Sequence, residues 1–206
     1  MVPIVLVDRY YDDAPLSYVS TNNFDGGLMA TELLIANRHK RIACIQGDPE
    51  TMPNRMRVKG YKQAMENAGL GANEMIFGNE FSIQNGYMET KLLLESNPRP
   101  TAIFALSNTI LLGSIKAIRE AGLRIPEDIS IISFDNNKYL DYMVPPINRV
   151  SQPVEDMAKL ASRILFEKIN DNNPEQVTRL SLSPVLMNGS SVGICPEELT
   201  RLRDSR

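Results

Sequence analysis

Polar side chains that could bind a small molecule follow four apolar, strand-like segments of the sequence. Asp8 ends the first of these segments, and Asp135 ends the last of the four. In open α/β sheets the carboxyl ends of the strands meet at one edge, where loops and helix N-termini offer unpaired polar groups to ligands. The pattern therefore predicts one site that contains Asp8, Arg57, Ser107, Asn108 and Asp135.

Carboxylates beside an arginine suit a neutral, polyhydroxylated ligand such as a sugar or a nucleoside. Each charge-assisted hydrogen bond is worth roughly 1.5–3 kcal/mol, and one hydroxyl can donate to an aspartate while it accepts from an arginine. Taken singly, each residue has a simpler explanation. Asp8 could cap a turn, Asp135 could form an Asx turn, and Arg55 and Arg57 could pair with surface acids. The prediction rests on their shared position at one sheet edge.

Motifs for catalysis and for cofactor binding are absent from the sequence. The single histidine, His39, follows a helix end, and we expect it to cap that helix as a cation. One histidine excludes the common zinc triad, and no serine lies in a nucleophile-elbow pattern. Gly26-Gly27 lacks the third glycine of a dinucleotide fingerprint, and no Walker loop is present. We expect no enzyme, no metal and no cofactor, although the two aspartates leave acid–base catalysis as an alternative.

Composition limits the partners of the chain. The 206 residues carry a net charge of −3, which leaves no basic surplus to neutralise a phosphate backbone, so DNA contact must come from elsewhere. The first apolar segment is too short to span a membrane and has no basic region before it, which predicts a cytoplasmic protein. Cys44 and Cys195 lie in such different settings that we expect two free thiols.

Short β-branched segments alternate with helical patterns, and this order predicts crossover units on a mostly parallel sheet. Helices are expected to begin near Asp25, Ser82 and Pro153, and to end at Gly69 and Gly122. From Gly193 onward the charged sequence without periodicity is typical of a flexible tail. The predicted strands are 2–7, 18–21, 41–46, 75–77, 101–106, 129–134 and 177–183.

Several segments along the chain share their sequence with one known family. The strongest is GLRIPEDIS at 122–130, continued to Phe134-Asp135. The others are 3–9, 23–27, 39–43, 57–61, 100–105, 145–147 and 150–153. Together they resemble the effector-binding domain of the lactose-repressor (LacI) family of transcription regulators.

The resemblance implies a two-lobed α/β fold like that of periplasmic binding proteins, with parallel sheets flanked by helices and an incomplete N-terminal lobe. Residues 1–23 and 153–182 would form the DNA-proximal lobe, 24–152 and 183–192 the distal lobe, and 193–206 the tail. The family's pattern gives Arg57 a bidentate role. The ligand-binding residues it implies are Asp8, Asn23, Arg57, Ser107, Asn108, Asp135 and Gln152.

The resemblance also implies a function and partners. The chain would be the effector-sensing domain of a bacterial repressor, and would bind a sugar or related polyol, less readily a purine, between its lobes. Homodimerisation is expected, with operator DNA bound only through a headpiece that this chain lacks. The missing opening βα units are expected to leave apolar faces uncovered and to favour self-association. A sugar-binding protein of a transport system and a sugar-processing enzyme are the alternatives.

The sequence departs from the family at three places. Ser107-Asn108 stands where Asn-Asp is usual, which removes one carboxylate from the expected pocket, and Asn22 replaces an aspartate. Asn188 stands where an arginine is common. The first two changes bear on which effector binds.

Overall fold

The chain folds into two β-sheets with helices packed on them, in a computed structural model that describes residues 2–11, 13–170 and 176–197. Two short 3-10 helices, Gly71–Asn73 and Lys138–Tyr142, lie in connecting loops. The strands and α-helices are β1 (Val5–Val7), β2 (Ser17–Thr21), α1 (Asn23–Ala36), β3 (Ile42–Ile45), α2 (Met52–Asn67), β4 (Met75–Phe77), α3 (Ile83–Glu95), β5 (Ala102–Ala105), α4 (Asn108–Glu120), β6 (Ser130–Phe134), β7 (Asn148–Ser151), α5 (Val154–Asn170), β8 (Arg179–Leu182) and β9 (Val185–Met187).

The first sheet has the strand order β1-β2-β8 and is parallel throughout. The second has the order β4-β3-β5-β6-β7-β9 and is parallel except for β9, which pairs antiparallel with β7. The chain crosses between the two sheets after β2, after β7 and after β8. This arrangement confirms the predicted α/β fold with parallel sheets flanked by helices.

Both faces of the second sheet are buried, because its strands are apolar at successive positions rather than at alternate ones. Ile42 and Cys44 of β3 face the core that α1 and α2 cover, whereas Ala43 and Ile45 face the core that α3 and α4 cover. The first sheet has a smaller core, in which Val19 packs against α5. The second sheet therefore forms the better-buried part of the molecule.

Glycines set the spacing of both helix pairs. A Cβ atom on Gly27 of α1 would lie 2.2 Å from the carbonyl oxygen of Arg57 on α2. A Cβ atom on Gly113 of α4 would lie 2.0 Å from the carbonyl oxygen of Ile83 on α3. Each pair thus packs backbone against backbone. The close contact between α1 and α2 lies at Arg57, the arginine predicted to bind the effector.

The helix boundaries follow the predicted local signals. Ser82 caps α3, since its hydroxyl accepts a hydrogen bond from the Asn85 amide. Gly69 and Gly122, just beyond α2 and α4, have φ values of 70° and 71°, the left-handed conformation in which a glycine ends a helix. The pattern 177–183 corresponds to the shorter strand β8, and the pattern does not reveal β9.

The prediction for His39 differs from the structure. The ring is only 1% exposed, and its nitrogens contact the Thr101 hydroxyl and the Gly193 carbonyl, each at 3.0 Å. Burial lowers the pKa of His39, which opposes the cationic form that a helix cap would use. This histidine instead joins two segments that are distant in sequence.

The predicted flexible tail also differs from the structure over its first five residues. Cys195 is 3% exposed, its amide donates to the Asn37 carbonyl, and Glu197 pairs with Arg41. Residues 193–195 pack as an irregular segment, which gives no periodic pattern, whereas Pro196 and Glu197 have helical backbone conformation. The rest of the tail, 198–206, lies outside the described residues. Cys44 and Cys195 are both free and buried.

Candidate ligand-binding site

A cleft of about 280 Å³ lies between the carboxyl ends of strands from the two sheets. It receives side chains from the end of β1 in the first sheet and from the ends of β5 and β6 in the second. The N-terminal parts of α2 and α4 open onto it as well. The lining residues are Asp8, Arg9, Thr51, Pro53, Arg57, Phe81, Ser107, Thr109, Asp135 and Gln152.

Arg57 is buried beside the cleft, with 4% of its surface exposed. Its Nε donates to the side-chain oxygen of Asn23 and its Nη1 donates to the Leu106 carbonyl, both at 2.8 Å. The guanidinium carbon lies 3.7 Å from the centroid of the Phe134 ring, a cation–π contact. Burial lowers the pKa of Arg57, while the carboxylates of Asp135 and Asp8 oppose that effect. The guanidinium is thus fixed on one edge, and its Nη2 is directed toward Asp135.

Asp135 lies between a cation and an amide. Its Oδ1 is 3.9 Å from Arg57 Nη2 and accepts a 2.6 Å hydrogen bond from Gln152 Nε2. Gln152 is held in turn by the Thr21 hydroxyl, which donates to its Oε1 at 2.8 Å. A carboxylate fixed in this way can accept further hydrogen bonds from hydroxyl groups in the cleft.

Asp8 faces the same cleft from the first sheet. Its Oδ1 is buried and has no hydrogen-bond partner among the described residues. Burial raises the pKa of Asp8, Arg57 and Arg9 lower it, and Asp135 raises it further. The orphaned oxygen is an acceptor for a ligand hydroxyl, because buried polar atoms in native proteins are nearly always paired.

Crossover residues hold both charged groups in place. Asn23 lies where the chain leaves β2 for α1 and binds Arg57, and Gln152 lies where the chain leaves β7 for α5 and binds Asp135. Two of the segments that connect the sheets therefore bind the charged groups of the cleft. A change in the angle between the sheets would therefore alter the hydrogen bonds that hold Arg57 and Asp135.

Of the seven residues predicted from the sequence, five line the cleft and two lie behind it. Asn23 is 2% exposed; its oxygen is taken by Arg57 and its amide donates to the Thr21 carbonyl. Asn108 is 7% exposed, and its Oδ1 is buried without a partner among the described residues. Ser107 lines the cleft and caps α4 through its hydroxyl.

Sequence reasoning missed several lining residues. Thr51 and Pro53 lie between β3 and Arg57, and the strand-end rule predicts only Arg57 from that region. Thr109 is the second residue of α4, and Arg9 directly follows Asp8. Phe81 lies in the loop after β4, a segment outside the predicted site. Applying the same rule to β4 would have pointed to that loop.

A larger cavity of about 920 Å³ lies away from this chemistry, beside the C-terminal half of α4, and Met143, Val144 and Pro145 form one wall of it. We take the smaller cleft as the site because the charged and orphaned polar groups converge there. The described residues contain no cluster of His, Cys, Asp or Glu side chains suited to a metal ion. Within the same residues, no helix combines the length and apolar character that a membrane crossing requires.

Comparison with known proteins identifies relatives that share one kind of domain. A family model described as a periplasmic binding protein-like domain matches residues 31–192. The chain is 35% identical over 176 residues to the HTH-type transcriptional repressor PurR of Vibrio atlanticus (strain LGP32). The aligned region covers 85% of this chain and 53% of that protein. It is 33% identical over 192 residues to the ribose operon repressor of Escherichia coli (strain K12), covering 92% of this chain and 58% of that protein.

Among solved structures, a LacI family transcriptional regulator from Enterococcus faecium with bound ribose has a TM-score of 0.85 at 26% identity. The match covers 93% of this chain and 71% of that one. The chain thus spans little more than half the length of the two curated relatives, 53% and 58%.

Two sheets of mostly parallel strands, joined by repeated chain crossings and with polar strand ends on a shared cleft, define the two-lobed binding-protein class of α/β fold. The chain belongs to the family of periplasmic binding protein-like domains, in the form that LacI-family regulators carry as their effector-binding domain. The resemblance stated from the sequence is confirmed. The relatives named above are transcription regulators, which agrees with the expectation of a non-enzymatic protein.

Proposed function

We propose that this chain senses a sugar for a bacterial transcription repressor and binds it in the cleft between Asp8 and Arg57–Asp135. The observation that carries the proposal is the convergence of an orphaned carboxylate oxygen from the first sheet with a fixed arginine–aspartate pair from the second. Hydroxyl groups satisfy all three, because they both donate and accept.

The size of the cleft favours a monosaccharide. About 280 Å³ is at the lower end of small-molecule sites. Phe81 adds an apolar wall to the cleft, which suits the carbon face of a sugar ring. Two of the relatives carry ribose in their names, one as the repressor of an operon and one as a structure with bound ribose. Ribose is therefore the first ligand to test.

The proposed mechanism is a shift between interlobe angles. Residues 1–23 and 153–182 form the lobe nearer DNA, and 24–152 with 183–192 form the distal lobe. A sugar that bonds Asp8 on one lobe and Arg57 and Asp135 on the other favours the angle at which all three reach it. In a cytoplasmic, homodimeric regulator that angle sets the spacing of the DNA-binding headpieces, so effector and operator affinities are coupled reciprocally.

Calorimetric titration of the chain with ribose, glucose and guanine tests the proposal. We expect a sugar to bind the wild-type chain and Arg57→Ala to abolish that binding. In an intact regulator, Arg57→Ala or Asp135→Ala should remove the response to the sugar and leave operator binding in place. Normal responses in both variants, or purine binding without sugar binding, would contradict the assignment.

A further inference from the structure

Arg149, on β7, has a buried guanidinium outside the cleft. The residue is 1% exposed and is the bulkiest fully buried side chain among the described residues. Its Nη1 donates to the Ile147 carbonyl at 3.0 Å and its Nη2 donates to Asp141 Oδ1 at 2.8 Å. Its Nε donates to Asn136 Oδ1 at 2.7 Å. One side chain thus ties three points of the loop that runs from β6 to β7.

One of those points is the residue directly after Asp135. Asp135 has a φ of 78°, a conformation that non-glycine residues adopt rarely and at a cost. Such a conformation persists only where the surrounding structure holds it. Gln152 holds the Asp135 side chain, and the bond from Arg149 fixes the side chain of Asn136, the next residue along the chain.

The use of an arginine here is not explained by packing. Removing a cation from water is costly, and an apolar side chain of similar volume is often at least as stabilising. A planar fork with five N–H groups, by contrast, fixes the relative positions of several acceptors, which a lysine cannot do. The three acceptors at this site belong to the loop that presents Asp135 to the cleft.

We propose that Arg149 is a positioning residue for effector binding, which holds Asp135 in the cleft by fixing Asn136. The inference rests on the proposed function. Arg149 does not touch the ligand; it acts through the loop. Disturbing the Arg149–Asn136 bond should weaken binding of a sugar and leave the fold intact, whereas disturbing the Arg149–Asp141 bond at the loop's solvent side should matter less.

The test compares Asn136→Ala with Asp141→Ala in the full chain, using ribose as the probe. Asn136→Ala leaves the buried Arg149 Nε without its acceptor but keeps the bonds to Asp141 and Ile147, so we expect a folded chain with a modestly lowered melting temperature and a dissociation constant raised about tenfold. Asp141→Ala should raise it less than about threefold. Arg149→Lys, which loses the fork but keeps the charge, should resemble Asn136→Ala. Equal affinities for wild type and Asn136→Ala would overturn the inference.

A double variant separates positioning from a general loss of stability. If Asn136 acts through Asp135, then adding Asn136→Ala to Asp135→Ala should not raise the dissociation constant for ribose any further. Both variants are titrated to ribose concentrations high enough to saturate them. Additive defects would show that Arg149 acts by another route. If the wild-type chain binds no sugar, the proposed function fails first. The structure of Asn136→Ala then still decides the positioning claim, which is wrong if Asp135 keeps its positive φ and its bond to Gln152.

Discussion

Asp8 and Asp135 share a strained backbone conformation on opposite sides of one cleft. Each directly follows the last residue of a strand, β1 or β6, and their φ values are 68° and 78°. The conformation turns the chain sharply at the strand end, and both side chains line the cleft. Backbone strain of this kind is concentrated at binding sites, and the two carboxylates also repel one another.

We predict that Asp8→Asn stabilises the chain at neutral pH and weakens sugar binding. Burial raises the pKa of Asp8, so the folded state favours the protonated carboxyl. The contribution of Asp8 to stability is thus present below its ordinary value of 3.8 and is lost as the pH rises through the raised value. Asparagine is neutral and tolerates positive φ, so the free energy of unfolding should rise by about 1 kcal/mol. Denaturant unfolding at neutral pH, with ribose titration, measures both effects; a destabilised variant would contradict the prediction.

We predict that Gly27→Ala costs stability and displaces Arg57. The added Cβ would meet the Arg57 carbonyl oxygen at 2.2 Å, so α1 and α2 must move apart. Overpacking of this kind costs roughly 1–3 kcal/mol, and sugar affinity should fall with it. The matched control is Gly71→Ala, whose Cβ would meet nothing nearer than 3.9 Å. Thermal unfolding and calorimetry of both variants check the prediction, which fails if the two behave alike.

We predict that the chain loses stability in mildly acidic solution through His39. Its pKa is lowered by burial, so the unfolded chain takes up the proton first. The stabilising effect of the neutral ring is therefore complete above its ordinary value of 6.5 and declines as the pH falls below that value. His39→Gln should flatten this part of the stability profile. Denaturant unfolding on both sides of that pH checks the effect, and an equally steep decline in the variant would assign it to another group.

We predict that the chain self-associates through the uncovered face at β1. This strand is at the edge of its sheet, and Val2, Ile4 and Val7 are 81%, 50% and 49% exposed. Exposed apolar edges of this kind pair with other chains, and a lysine on the edge prevents it. Val7→Lys should reduce concentration-dependent association in analytical ultracentrifugation, whereas Leu92→Lys, which changes an exposed side chain on α3, should not. A monomeric wild-type chain at all concentrations would refute the prediction.

Much of the fold was predictable because its signals are local. Helix ends at Gly69 and Gly122 depend on the conformational freedom of one residue, and buried strands depend on short apolar segments. The strand-end rule placed Asp8, Ser107 and Asp135 correctly at the cleft, since parallel strands bring their carboxyl ends to one edge. Strand β9 was missed because its three residues pair only with β7, a partner distant in sequence.

The amino-acid sequence by itself determined the α/β order of elements and the residues that end the strands, together with the family resemblance. Only the tertiary structure decided what each polar group does: that Asn23 supports Arg57 instead of lining the cleft, that His39 is a neutral internal link, and that Cys195 is buried. The physical reason is that hydrogen-bond partners and desolvation depend on chain segments far apart in sequence. These segments come into contact only in the assembled sheets, so a local sequence pattern does not reveal their contacts.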